Sequence, residues 1–163
     1  MCRESDATLE IMYSIEGDLA RLRVPPPRPP VIAHRLWQHT CCECFIALAG
    51  QPGYHEFNFS PSGEWAAYRF AKYREGDAVL DEALNPRISV QRTAAKLDIA
   101  ASIPLDRLSA VHACGKLALA LSTVVEDEQG TLSYWALKHP VGKPDFHHPD
   151  SFILNLKAVS EQV

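Results

Sequence analysis

Apolar and polar residues alternate with a period of two over most of this chain, and that period predicts strands. Leu9, Ile11, Tyr13 and Ile15 alternate with Glu10, Met12, Ser14 and Glu16, the mark of a strand with one wet face. Gly17-Asp18 follows as a tight turn, and the renewed alternation from Ala20 to Val24 predicts a hairpin partner. Thr40 to Leu48 has no wet face: it is a near-continuous apolar run, closed by Gly50-Gln51-Pro52-Gly53, as expected of a strand buried on both sides. Tyr54 to Phe59 and Glu64 to Phe70 flank Ser60-Pro61-Ser62-Gly63, a well-marked turn, and form a second hairpin. Leu97, Ile99, Ala101 and Ile103 alternate again, and so do Leu117, Leu119, Leu121, Thr123 and Val125. After Glu126-Asp127-Glu128-Gln129-Gly130 the chain returns as a partner strand from Thr131 to His139, and Phe152 to Leu156 closes it.

Only Leu105 to Val111 has room for a short helical turn. Pro25 to Pro30 holds five prolines in six residues, so it is neither helix nor central strand and is expected to cross between sheets as extended chain. Many short strands punctuated by Pro, Gly and Ser predict an all-β sandwich. At 163 residues the chain has the length of one domain and can bury a core without staples.

Composition narrows the function. A formal charge of −4 argues against nucleic acid, which needs a basic surface. No apolar run reaches the ~18–20 residues of a membrane span. The opening Met1-Cys2-Arg3-Glu4-Ser5-Asp6 lacks the order of a signal peptide, so a cytoplasmic location is expected. Cys41, Cys42 and Cys44 crowd one strand, with Cys2 and Cys114 apart. An odd count with adjacent members is a poor disulfide framework, and no second ligand pair at zinc spacing exists, so buried reduced thiols are expected.

The chain contains no nucleophile elbow, P-loop, H-E-x-x-H or dinucleotide fingerprint. No cysteine has a local basic setting that would activate it. A non-catalytic protein is therefore expected. His139, His147 and His148 lie in a proline-bounded loop, where adjacent histidines point apart and one imidazole is expected to pin the loop by hydrogen bonds. Trp65 and Trp135 fall inside strand patterns and read as core. Trp37 follows the proline-rich connection and Phe146 sits between Pro144 and Pro149; by residue type either can pack or stack on a ligand. Glu43, alone in the middle of the buried strand, must be paired, hydrogen-bonded or turned to a cavity.

Three segments together carry a resemblance. Leu36-Trp37-Gln38-His39-Thr40-Cys41-Cys42-Glu43-Cys44-Phe45-Ile46 resembles the L-W-x-x-x-x-x-E-x-F-I core strand of family 9 carbohydrate-binding modules, and still more the bacterial DOMON-like domains related to them. Tyr54 to Trp65 resembles their E-F-N-x-x-P-x-G-x-W hairpin, and His147 to Phe152 their closing H-x-P-D-x-F segment. The match runs from about Leu9 to Leu156, and residues 1–163 read as a single such domain.

The resemblance implies an immunoglobulin-like β-sandwich of about nine to eleven strands. It implies a small ligand, a saccharide or sugar-like metabolite, clamped between aromatics. Trp37 falls on one clamp position and Phe146 on the second, where the relatives have tryptophan. Glu43 and Asn58 fall on positions that hydrogen-bond hydroxyls, with His39 or His147 as further contacts; His147 replaces a charged neighbour. A phenyl ring stacks on a sugar with less area than an indole and without its N–H. Other DOMON relatives bind haem, commonly through methionine and histidine or lysine. Here only Met1 and Met12 are present and C-x-x-C-H is absent, so no cofactor is expected and haem is the alternative. A protein-interaction module using Tyr68-Arg69-Phe70-Ala71-Lys72-Tyr73-Arg74 is the third reading.

Overall fold

The computed structural model describes residues 7–158. Ten strands form two antiparallel sheets among these residues: β1 (Thr8–Glu16), β2 (Cys41–Leu48), β3 (Tyr54–Phe59), β4 (Trp65–Lys72), β5 (Glu75–Ala78), β6 (Arg87–Arg92), β7 (Lys96–Pro104), β8 (Leu117–Glu126), β9 (Leu132–Ala136) and β10 (Leu154–Leu156). The smaller sheet has the order β1-β7-β6, and the larger runs β10-β8-β2-β3-β4-β5 with β9 also paired to β8. The chain is an all-β sandwich, as its alternation predicts. The helical turn expected near Leu105 is present as a 3-10 turn over Leu105–Arg107 followed by a short helix, α1 (Ala110–Cys114). No helix among the described residues is long and apolar enough to cross a membrane.

The two sheets meet over a core that the alternation marks residue by residue. Leu9, Ile11 and Tyr13 of β1 and Leu97, Ile99, Ala101 and Ile103 of β7 pack against Cys42, Cys44, Ile46, Phe57, Phe59 and Trp65 of the larger sheet. Trp65 is 2% exposed, as its strand position predicts. The Tyr13 hydroxyl donates to the Glu43 carbonyl at 2.8 Å, tying the sheets together at the middle of β2. The opposite face of β2 is covered too, by a second cluster of Phe45, Tyr54, Ala120, Val124 and Phe146. Burial on both faces explains the unbroken apolar run.

Cys41, Cys42 and Cys44 are buried free thiols. Burial raises all three, Cys42 to about 12, so they stay protonated and inert at neutral pH. The reduced-thiol reading does not extend to Cys114, which is disulfide-bonded.

Three expectations are corrected. The strand β1 has no hairpin partner at Ala20–Val24; it pairs along its full length with β7, from Thr8 opposite Pro104 to Glu16 opposite Lys96. Asp18 instead caps a 3-10 turn over Leu19–Arg21 by accepting the Ala20 N–H at 3.1 Å, and Leu19 plugs the core. A nine-residue ladder that matches two apolar faces outweighs a local turn signal. Trp135 is not core but 65% exposed, because β9 is an edge strand bonded to β8 alone. Finally, β5 and β6 are extra strands whose residues are mostly exposed; β5 has no alternation, while in β6 only Ile88 and Val90 reach the core. Gly76 permits β5: a Cβ there would lie 2.1 Å from the Arg69 carbonyl oxygen.

The proline-rich segment runs as extended chain without regular structure. It is pinned by the Arg28 N–H on the Ser62 carbonyl at 2.8 Å and by a parallel bridge from Ile32 to Trp65. It leads into the 3-10 turn Leu36–Gln38, which carries Trp37 to the rim of the outer face.

Candidate ligand-binding site

Side chains on one face of a strand recur every second residue, and register decides which of them meet. Glu43 of β2 stands opposite Asn58 of β3 and Ser122 of β8. Glu56, two residues before Asn58, stands opposite Phe45 and Tyr68. These side chains share the face of the larger sheet turned away from the core. The loop from Pro144 to His147 and the turn carrying Trp37 wall that face in. The result is a cavity of about 410 Å³ whose lining includes Trp37, Glu43, Phe146 and His147, with Glu56, Tyr68, Phe70, Arg74, Tyr134 and Asp145.

Of the six residues marked in the sequence, four line this cavity. Trp37 is 47% exposed at the cavity's edge. Phe146 is buried, its ring near-parallel to His139 and edge-on to Tyr134, each at 6.0 Å. Asn58 is not in the lining; it lies fully buried beside Glu43, and neither polar atom of its carboxamide has a hydrogen bond. His39 stands outside. Its Nδ1 lies 2.7 Å from Glu126 Oε2, while Arg23 holds Glu126 Oε1 at 3.0 Å. Thr40 completes that latch, accepting the Glu126 N–H at 3.0 Å and donating to the Arg23 carbonyl at 2.8 Å. The group fixes the start of β2 just beyond Trp37.

A hydrogen-bonded chain holds the other wall. Arg74 has a left-handed backbone, φ 55, in the β4–β5 turn, and its N–H donates to the Tyr54 hydroxyl at 3.1 Å. The Tyr54 hydroxyl lies 2.9 Å from His147 Nδ1. Edges and faces of Phe45 and Phe70, with centroids 5.0 and 5.1 Å from the imidazole, lock the ring. Burial and the Arg74 charge hold His147 down at about 4, so the imidazole is neutral. A Tyr54 proton on Nδ1 then leaves Nε2 protonated and aimed at Glu56 Oε2, 3.6 Å away. Arg74 itself reaches Asp145 Oδ1 at 2.7 Å, and Tyr73 bonds the same carboxylate. His148 points elsewhere and caps the following turn by accepting the Asp150 N–H at 3.2 Å.

The two carboxyls deep in the cavity are uncomfortable. Burial, then repulsion from Glu56, raises Glu43 well above the usual carboxylate range, and the Ser122 hydroxyl at 3.5 Å offsets little of it. Burial pushes Glu56 up to about 7, moderated by the neighbouring Asn58 amide and by Arg74. That amide leans on Glu56 without reaching hydrogen-bond geometry.

Glu56, Tyr54 and Asp145 are not among the ligand contacts the sequence marks, and Arg74 is marked only within the interaction strand Tyr68 to Arg74. Glu56 carried a signal: with Asn58 it alternates against Phe57 and Phe59, so two polar residues share one face of a buried strand. No group of three or more His, Cys, Asp and Glu side chains suited to a metal occurs among the described residues. Met12 lies on the solvent face of β1, 70% exposed, in the other sheet; Met1 is outside the described residues.

Among solved structures, the chain is similar to a protein from Bacteroides uniformis ATCC 8492 described as a "putative carbohydrate-binding protein". The TM-score is 0.65 at 14% identity, over 89% of this chain and 71% of that one. The likeness is one of fold. No protein-family model matches the chain, and no curated protein does.

Proposed function

We propose that this protein is a non-catalytic, DOMON-like domain that binds a small saccharide or sugar-like metabolite on the outer face of its larger sheet. The observation that carries this reading is the cavity. It brings Trp37, Glu43, Phe146 and His147 together from segments that are far apart in sequence. A sugar ring lies on Trp37, with Phe146 as the second aromatic wall, since apolar ring faces stack on the C–H face of a sugar. Glu43 accepts hydroxyl hydrogen bonds through its carboxyl oxygens, and Asn58 supplies a donor and an acceptor that are unspent in the free protein. His147, locked by Tyr54, presents Nε2–H from one side. His39 acts through the Glu126 latch and not by contact. The fold of the Bacteroides protein is in keeping with this reading.

Titration of the intrinsic tryptophan fluorescence with mono- and disaccharides tests it, run beside Trp37→Ala. A saturable change that is lost in the variant is expected. A flat response across the panel removes the saccharide reading.

A further inference from the structure

The hydrogen-bonding capacity left open in the cavity is acidic. Glu43 meets only the Ser122 hydroxyl, at 3.5 Å. Glu56 meets only a neutral imidazole nitrogen at 3.6 Å and the loosely placed Asn58 amide. Among the described residues Arg74 is the one guanidinium in the lining, and it is spent on Asp145 at 2.7 Å and on the Tyr73 hydroxyl at 3.3 Å. Two buried carboxyls therefore face the cavity without a cation of their own. The Asn58 carboxamide behind them is fully buried and unpaired at both ends, so it offers them no firm hydrogen bond.

The remaining walls fit the same charge. Trp37, Tyr68, Phe70, Tyr134 and Phe146 surround the carboxyls, and aromatic faces attract cations by their quadrupole. A neutral polyol would satisfy some lone pairs but leave both carboxyls without a cation to favour their ionised forms. An ammonium set between them favours the ionised forms and makes two charge-assisted hydrogen bonds in a poorly solvated site.

We propose that the ligand of this site is an amino sugar, with its ring on Trp37 and its ammonium between Glu43 and Glu56. This rests on the saccharide reading and names the substrate class within it. Burial raises the affinity of both carboxyls for protons, and an ammonium between them would favour their ionised forms.

Calorimetric titrations at pH 7 with D-glucosamine, N-acetyl-D-glucosamine, D-glucose and choline test the proposal. Glucosamine is expected to bind at least about tenfold tighter than glucose or the acetylated sugar, a margin of about 1.4 kcal/mol. The double variant Glu43→Gln/Glu56→Gln should weaken glucosamine at least about tenfold more than glucose. Glucose binding as tightly as glucosamine overturns the amino group and leaves the saccharide reading standing. Choline binding as tightly as glucosamine, with glucose silent, overturns the amino sugar and the saccharide reading together in favour of a bare cation site. Silence from all four also overturns both.

Discussion

Tyr54 and His147, 93 residues apart in sequence, meet through a 2.9 Å hydrogen bond that fixes the loop over the sheet. The same hydroxyl receives the Arg74 N–H, so one side chain couples the β4–β5 turn to the loop that forms the cavity wall. The aromatic body of Tyr54 stacks on Phe70 at 4.8 Å and would survive loss of the hydroxyl. Its two functions, packing and pinning, can therefore be separated by a single oxygen.

Tyr54→Phe should keep the fold and loosen the loop. Removing the hydroxyl leaves the Arg74 N–H and a buried ring nitrogen without partners, a loss of about 1–2 kcal/mol. Urea denaturation should show that loss, and amide hydrogen exchange at His147 and His148 should quicken while exchange in β2 stays slow. Unchanged exchange in the loop would show that the aromatic contacts alone hold it.

Trp37→Ala should abolish saccharide binding at little structural cost. The side chain belongs to neither apolar cluster and is half-exposed, so a stability change within about 1 kcal/mol is expected. Circular dichroism and the urea midpoint check the fold; fluorescence titration checks the ligand. Affinity unchanged in a folded variant would remove the aromatic clamp.

Trp65 and Trp135 make an opposed pair. Both lie inside strands, β4 and β9, yet one is buried and the other 65% exposed. Trp65→Ala should cost about 3–5 kcal/mol through the cavity it leaves, while Trp135→Ala should stay within about 0.5 kcal/mol. Thermal or urea unfolding of the two variants side by side decides it.

That pair also shows what alternation can and cannot disclose. Period-two patterning located β1, β7 and β8, an unbroken apolar run located β2, and a marked turn located β3 and β4, because each strand has at least one face against the core, which only apolar residues fill. It could not separate Trp65 from Trp135, since burial depends on whether a strand is central or at an edge, and that is settled by distant pairing. The Gly17-Asp18 turn misled for the same reason: a local signal lost to the ladder with β7. In the site, Trp37, Glu43, Phe146 and His147 could be marked one by one. Glu56 could not be linked to Glu43, nor Arg74 to Tyr54, because strand register and loop closure bring them together. His39 enters the site reading only through the resemblance, as a further hydroxyl contact, whereas its ring turns to Glu126.

Glu56 should weaken the folded state as pH rises. Its folded-state value is pushed up to about 7 from an ordinary 4.5, chiefly by burial. Between those values the folded protein keeps a proton that the unfolded chain has released, so stability falls through this window and the full penalty applies above about 7. His147 runs the opposite way. Its value is lowered to about 4 from 6.5, so its contribution is intact above 6.5 and is lost as pH falls toward 4. The two effects oppose each other in the wild-type profile between about 4.5 and 6.5, and a variant that removes only one of them separates them. Glu56→Gln keeps the shape and cannot ionise. It should be more stable than wild type at pH 8 by about 2–3 kcal/mol, with the difference vanishing near pH 4. Urea unfolding of both proteins across pH 4 to 8 measures it; a constant offset at every pH would show that Glu56 is not the titrating group. A carboxyl that costs stability where the protein is ionised, and that a glutamine would relieve, is the kind of strain expected of a residue kept for a ligand.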